Sequence, residues 1–289
     1  MINRRTFLCS CGAFLASPVS AQSRPPLKGF ICSTLQITPQ DEMRNLLQFR
    51  SQGPFIPQQL FNISDAWTND DSLEKGKVKI GVAFLDGSKR QRENVRKCVQ
   101  PWTQKGGAEI VEWAWDDMSK PHIRVTFAGK ENKSNIGRQA ASVTDRKVPT
   151  MYLADVRSDA GEERVRQVIL HEFGHALGLR HEIQHPSSGI KWIRGNVYAD
   201  YYAASKWSKE EVNKNVLDVY TKDYLCKGAK DYDPKSIMMY PILDDWTESH
   251  EAVTPSSTLS DADLKCVASA YWAQNLLRDA PPINVIQAP

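Results

Sequence analysis

Between positions 171 and 181 the chain carries His171, Glu172, His175, Gly178 and His181, which places three of its six histidines within eleven residues. On an α-helix, residues four apart lie about 40° apart around the axis and one turn along it. His171 and His175 therefore present their imidazoles to one point, with Glu172 beside them. A helix continued through 181 would carry His181 about 9 Å further along and turn it to another face. Gly178 removes that difficulty, because glycine takes a positive φ without steric cost. The spacing predicts a helix that ends near 178 and a chain reversal that returns His181 to the pair. Three neutral nitrogen ligands with a fourth position left for water describe a catalytic zinc site, whereas a structural site closes all four positions with protein ligands. The rival reading, unrelated surface or core histidines, leaves the five fixed positions without a reason.

The remainder of the chain sets the context for that centre. It has 289 residues, 37 Lys plus Arg against 34 Asp plus Glu, and an apolar fraction of 41%. That is a globular composition for one or two domains. A net charge of +3 argues against a nucleic-acid binder, which concentrates a large basic excess on one face. No apolar run reaches the roughly 18 to 20 residues that would span a bilayer, so no integral membrane span is expected. Residues 1–21 read as a signal peptide, with Arg4 and Arg5, an apolar stretch over 7–16, and Val19, Ser20 and Ala21 before Gln22. Arg4, Arg5, Phe7 and Leu8 also fit a twin-arginine signal, an ordinary basic start being the other reading. Removal of this segment leaves a formal charge of +1 and predicts a secreted or periplasmic protein. It also leaves Cys32, Cys98, Cys226 and Cys266, an even count that suggests disulfides in an exported chain. None of these sits at zinc-knuckle spacing, so thiolate ligation of a metal is not expected.

Residues 22–66 carry prolines around one short helical pattern at 41–49 and read as an N-terminal arm or pro-segment. A strand is expected at 78–85, then a turn at Asp86 and Gly87 and a helix through Arg92, Val95, Cys98 and Val99. Further strands are expected at 109–113, 123–127 and 150–156, with a polar loop over 129–138 and a long helix over 161–179. Beyond 195 the chain reads as helix and loop. Strand, helix and further strands predict a mixed sheet with a covering helix. Lys89, Arg90, Arg92, Arg96 and Lys97 read as the solvated face of their helix rather than a polyanion site. His122 reads as a strand residue, and His185 and His250 as surface residues.

The run from His171 to His181 resembles the metzincin zinc-protease pattern, and Glu182 directly after it resembles the astacin family's variant. Ser236, Ile237, Met238, Met239 and Tyr240 resemble that family's Met-turn, with Met238 beneath the zinc and Tyr240 as a switchable tyrosine ligand. The similarity runs from about 67 to 272. It implies an α+β, metzincin-like fold: an N-terminal subdomain with a twisted mixed sheet and two long helices (67–180), a C-terminal subdomain of mostly helix and loop (181–276), a cleft between them, and a tail at 277–289. It implies Zn2+ as cofactor, an extended protein or peptide substrate, and a monomer. It further implies a disulfide between the first and last helices, Cys98 to Cys266, which leaves Cys32 and Cys226 as a second pair. Glu182 is expected either to bind a newly formed N-terminus or to make a helix-end ion pair. The chain departs from the family in lacking the Phe-x-Gly-Asp segment whose aspartate caps zinc in many proenzymes. Asp41, Asp65, Asp70 and Asp71 are all available for that role.

The function expected is a secreted zinc-dependent endopeptidase, with Glu172 as general base on a metal-activated water and Tyr240 as donor to the developing oxyanion. The strand near 151–155 is expected to form the upper rim of the cleft, where a peptide adds as an antiparallel strand. Two alternatives stand beside it: a zinc-retaining binding module without proteolytic activity, and a hydrolase of small or cell-wall peptides.

Overall fold

In the computed structural model the described residues are 32–35, 61, 65–67, 73–74, 77–116, 119, 121–221 and 231–278, with side chains of the last helix described to 271. The expected signal peptide, the helical pattern at 41–49, Cys226, most of the C-terminal tail, and Asp41, Asp70 and Asp71 lie outside them.

The apolar run at 77–84 sets up the sheet. Its residues Val78, Ile80, Val82, Ala83 and Phe84 are all buried, which requires neighbours on both sides of the strand. Those neighbours are supplied by one sheet built from β1 (Cys32–Leu35), β2 (Leu73–Glu74), β3 (Lys77–Phe84), β4 (Val111–Trp115), β5 (Ile123–Thr126), β6 (Asn132–Asn135) and β7 (Met151–Leu153). Its order is β1-β6-β7-β5-β3-β2, with β4 also paired to β3. The pairs β1/β6, β3/β4, β3/β5 and β5/β7 are parallel, and β2/β3 and β6/β7 are antiparallel.

Between β3 and β4 runs helix α1 (Lys89–Cys98), started by a capping box in which Gln91 N donates to Ser88 Oγ and Ser88 N donates to Gln91 Oε1. Of its basic residues, Arg92 and Arg96 lie over the Phe84 ring, and Arg96 also pairs with Asp116. Helix α2 (Glu162–Ala176) begins with Glu162 and Glu163, where the helix dipole favours negative charge, and every residue from Val168 to Ala176 is buried. It packs against α1, β6 and β7. The C-terminal part adds α3 (Arg194–Ser205), the short α4 (Lys209–Val212) running into a π-helical turn at Asn213–Leu217, and α5 (Asp261–Arg278). The fold is α+β, a mixed sheet with helices, as expected. Among the described residues no helix is long and apolar enough to cross a membrane.

Three expectations need correction. The stretch read as a polar loop over 129–138 contains β6, whose sequence Asn-Lys-Ser-Asn has no apolar alternation to announce a strand. Consequently the rim moves. β7, at the expected rim position 151–155, is an interior strand flanked by β5 and β6, and it is β6 that β1 joins at the margin of the sheet. Finally, Cys98 is a free thiol, whereas Cys266 is disulfide-bonded, so the expected Cys98–Cys266 bridge is not formed. The α5 residue that shares a cavity with Cys98 is Leu264. Cys266, two positions on, points about 200° around the helix from it. Cys32 is also a free thiol, so its pairing with Cys226 is not formed.

Arg124 fastens the loop between β6 and β7 to the sheet. It is buried in β5 and donates to the carbonyls of Val148 (2.7 Å), Pro121 (3.0 Å) and Val143 (2.8 Å). Arg124→Met would leave those three acceptors unmatched. We expect it to lower stability by about 2 to 4 kcal/mol, read as a drop in the urea midpoint at unchanged slope.

Candidate metal centre

The end of α2 is a two-bond chain reversal. Gly178 N donates to His175 O at 2.8 Å and Leu179 N donates to Gly174 O at 3.0 Å, the pattern of a Schellman motif with Gly178 at φ +108°. A Cβ at Gly178 would also stand 2.5 Å from the Phe61 ring. Trp67 Nε1 and Tyr271 Oη, from opposite ends of the domain, donate to the carbonyls of Ala176 and Leu177 at the same helix end. The reversal brings His181 back, as the spacing predicts. His175 Nε2 and His181 Nε2 are 3.0 Å apart, and the rings of His171 and His175 are 4.8 Å apart.

Backbone carbonyls fix how these imidazoles present themselves. His171 Nδ1 lies 2.8 Å from Ile237 O, and His175 Nδ1 lies 2.8 Å from Leu179 O. A carbonyl only accepts, so each Nδ1 carries the proton and each Nε2 keeps its lone pair for a metal. Burial holds His171 and His181 well below the usual imidazole range and brings His175 down to about 4, so all three are neutral ligands. The His175 Nε2 lone pair stands 3.0 Å from His181 Nε2, close enough for one cation to be shared by both nitrogens. The donor set therefore fits a zinc ion.

Glu172, fully buried, follows His171 on the same helix. Neither carboxylate oxygen has a well-formed hydrogen bond, and the Cys32 thiol is its near neighbour. Burial pushes its pKa up to about 8, a value that an adjacent divalent cation would pull down. On the other side of the histidines, the Tyr240 hydroxyl lies 3.0 Å from His181 Nε2 and donates to the Cys32 carbonyl. Met238 packs beneath α2, where a Cβ on Gly174 would stand 2.5 Å from its sulfur.

The turn that carries Met238 and Tyr240 is held by Asp263. Its carboxylate accepts from Ser236 Oγ (2.6 Å) and Ile237 N (2.9 Å), and from Ser260 N (2.8 Å) at the start of α5. One buried acid thus caps the last helix and fixes the carbonyl that orients His171.

The structure brings His171, His175, His181, Glu172 and Tyr240 together, with Gly178 and Met238 in the expected supporting places. Glu182 is buried and accepts Asp233 N at 2.9 Å. Asp65 is turned to Arg180 (2.7 Å) and Gln139 (3.0 Å), with no part in the metal cluster. His250 is exposed, but His185 is buried, contrary to its expected surface position.

The sequence reading missed Cys32. Its sulfur and the ligand atoms of the three histidines all lie within 4.8 Å of one another. The available signal was chemical: a cysteine in the segment before a histidine zinc motif is itself a zinc ligand type. Asp263 was also missed, although Ser260 and Asp263 stand at capping-box spacing.

Gly178→Ala imposes strain at a positive φ and a clash with Phe61, so His181 should lose its position. Zinc affinity should fall about 10- to 100-fold, measured by competition with a chromogenic chelator. Burial raises the Asp263 pKa to about 6, above the unfolded value of about 3.9. The folded state then holds the proton more tightly, so this contribution to stability is complete below pH ~4 and lost as pH rises through ~6. The unfolding free energy of wild type should therefore fall relative to that of Asp263→Asn as pH rises from ~4 to ~6, and the two should run parallel above that window.

No protein-family model matches the chain, and no curated protein matches it in sequence. Among solved structures, one of myroilysin superposes with a TM-score of 0.61 at 31% identity, over 71% of this chain and 97% of that one. A second myroilysin structure gives 0.51 at 27% identity, over 83% and 99%. High choriolytic enzyme 1, a hatching enzyme zinc-protease from Oryzias latipes (medaka fish), gives 0.49 at 16% identity, over 75% and 98%. Identity of 31% sustained over nearly the whole length of a relative indicates common descent as well as common architecture: the chain belongs to the astacin family of metzincin zinc metalloproteases.

Proposed function

We propose that this zinc peptidase is exported and cuts protein or peptide substrates held in extended form, with Glu172 as its general base. The observation that carries the reading is the placement of Glu172 and Tyr240 around one buried group of neutral histidines. A binding module has no chemical need for either residue. The bipartite N-terminus, residues 1–21 as signal peptide and 22–66 as pro-segment ahead of a domain at 67–276, supports export.

Bound zinc supplies Lewis acidity and lowers the pKa of a coordinated water to about 7. Glu172 follows His171 directly on α2, and its buried carboxylate is suited to take the proton of the attacking water and pass it to the leaving amine. Tyr240 Oη, already aimed at a backbone carbonyl, is suited to donate to the substrate's carbonyl oxygen as charge develops there. Its benefit is concentrated in the transition state rather than in binding. With β1 displaced, the margin of β6 would offer main-chain pairing to an extended peptide, which gives register with little side-chain preference. Glu182, buried next to His181, keeps both of its expected roles open, as anchor for a newly formed N-terminus or as partner in a helix-end ion pair.

The test uses full-length protein activated by limited proteolysis, with casein as substrate. Glu172→Gln should bind zinc in the same stoichiometry and cut at least about 100-fold more slowly. Tyr240→Phe should lower kcat by about 10- to 100-fold with little change in KM. Casein cleavage by Glu172→Gln at the wild-type rate would overturn the assignment.

A further inference from the structure

We propose that the cavity enclosed by α1, α2 and α5 binds an amphipathic monocarboxylate, an aliphatic chain ending in one carboxylate, at a site separate from the metal centre. α2 presents two faces. It turns His171 and His175 towards the centre, whereas Glu162, Val165, Arg166 and Leu170 lie roughly on the opposite side of the helix. Facing them from α1 are Arg90, Asn94 and Lys97, spaced so as to share one stripe, with Cys98 beside them. Leu259, just ahead of α5, and Leu264, on it, close the third wall. The enclosed volume is about 540 Å³. Pockets that take small organic molecules span roughly 300 to 1,000 Å³.

The lining divides by chemistry. Val165 and Leu170 are buried in the floor, and Leu259 and Leu264 are partly covered beside them. Arg90, Lys97, Arg157 and Arg166 stand exposed around the mouth, against one carboxylate, Glu162. Arg157 pairs with Asp159, whereas Arg90, Lys97 and Arg166 form no ion pair among the described residues. Arg166 and Lys97 both act on the Cys98 thiol, opposing the rise in its pKa that burial causes, so these two charges converge near one end of the cavity. The net rise leaves the thiol without the thiolate character of a nucleophile. Cys98 therefore marks the site and does not react in it.

Those features select the occupant. A neutral apolar molecule would cover the floor and leave the three unpaired cations unmatched. An inorganic anion would meet the cations and leave the floor bare. A chain carrying one carboxylate meets both: Arg166 and Lys97 take the carboxylate through charge-assisted hydrogen bonds, and the alkyl part covers Val165, Leu170 and Leu264. The aliphatic stems of the same cations extend the apolar surface around it. No metal and no catalytic residue takes part, so the site stands independently of the peptidase reading.

The experiment uses the full zinc-loaded chain, with decanoate below its micelle concentration as the probe. Cys98 is alkylated with the neutral reagent iodoacetamide, and its peptide is quantified by mass spectrometry. Decanoate at about ten times its dissociation constant should slow that alkylation about 10-fold, whereas decanol and inorganic phosphate should leave it unchanged. Isothermal titration calorimetry is the second measurement. The double variant Lys97→Gln, Arg166→Gln alters only exposed side chains and should fold as wild type, yet bind decanoate at least about 10-fold more weakly. Equal protection by decanol or by phosphate, or unchanged affinity in the double variant, overturns the proposal, as does a wild-type chain that shows neither protection nor calorimetric binding. Deletion of residues 279–289 adds one further arm. Decanoate binding that appears only in the shortened chain makes the chain's own tail the occupant and overturns the proposal, and equal binding by both chains supports it.

Discussion

The centre exists because α2 stops at Ala176. One further helical turn would point His181 away from the pair and leave two histidines, too few to hold a metal firmly with an open position. That ending is specified twice over. Locally, Gly178 allows the Schellman bonds from Gly178 N and Leu179 N. At long range, Trp67 from the start of the domain and Tyr271 from its last helix take the carbonyls of Ala176 and Leu177, acceptors that a helix end otherwise leaves to water. Phe61 fills the space that a side chain at 178 would need, and its backbone bridges Leu179. Residues far apart in sequence thus converge on one change of chain direction.

Around that point the fold maintains a dry, nearly neutral interior that a divalent ion completes. The histidines are uncharged because they are buried, and Glu172 is held up to about 8 for the same reason. Introducing a cation reverses the balance for the carboxylate and favours its ionised, proton-accepting form. The polar supports are multidentate. Asp263 holds Ser236, Ile237 and Ser260, and Arg124 holds three loop carbonyls. Each therefore fixes a stretch of irregular backbone that has no ladder of its own.

What could be read from the sequence follows from the range over which each signal acts. The histidine spacing, Gly178 and the Met-turn are local patterns, and each reappears in place. β3, β5, α1 and α2 carry enough apolar periodicity to be found within a few residues of their ends, and β4 was placed two residues early. β6 escaped because its four polar residues become a strand only through their neighbours β7 and β1. The cysteines were misassigned for a related reason: parity and family likeness say nothing of direction, and Cys266 faces away from the α1 cavity that Leu264 lines. Cys32 was assigned to a disulfide by what remained, whereas its position is decided by β1 pairing with a strand a hundred residues later.

β1 has one more consequence if the proposed pro-segment is removed. Without it β6 becomes a bare sheet margin, with unpaired amides and carbonyls of the kind that recruits other chains into aggregates. The residues along it are Asn132, Lys133, Ser134 and Asn135, and the Lys133 ammonium sits 4.8 Å above the Tyr152 ring on the adjoining strand. A margin so polar, with a charged pair of Lys133 and Glu131 beside it, would discourage sticking between copies while leaving main-chain groups for the proposed peptide. The composition that hid this strand from sequence analysis is what makes it tolerable in solution.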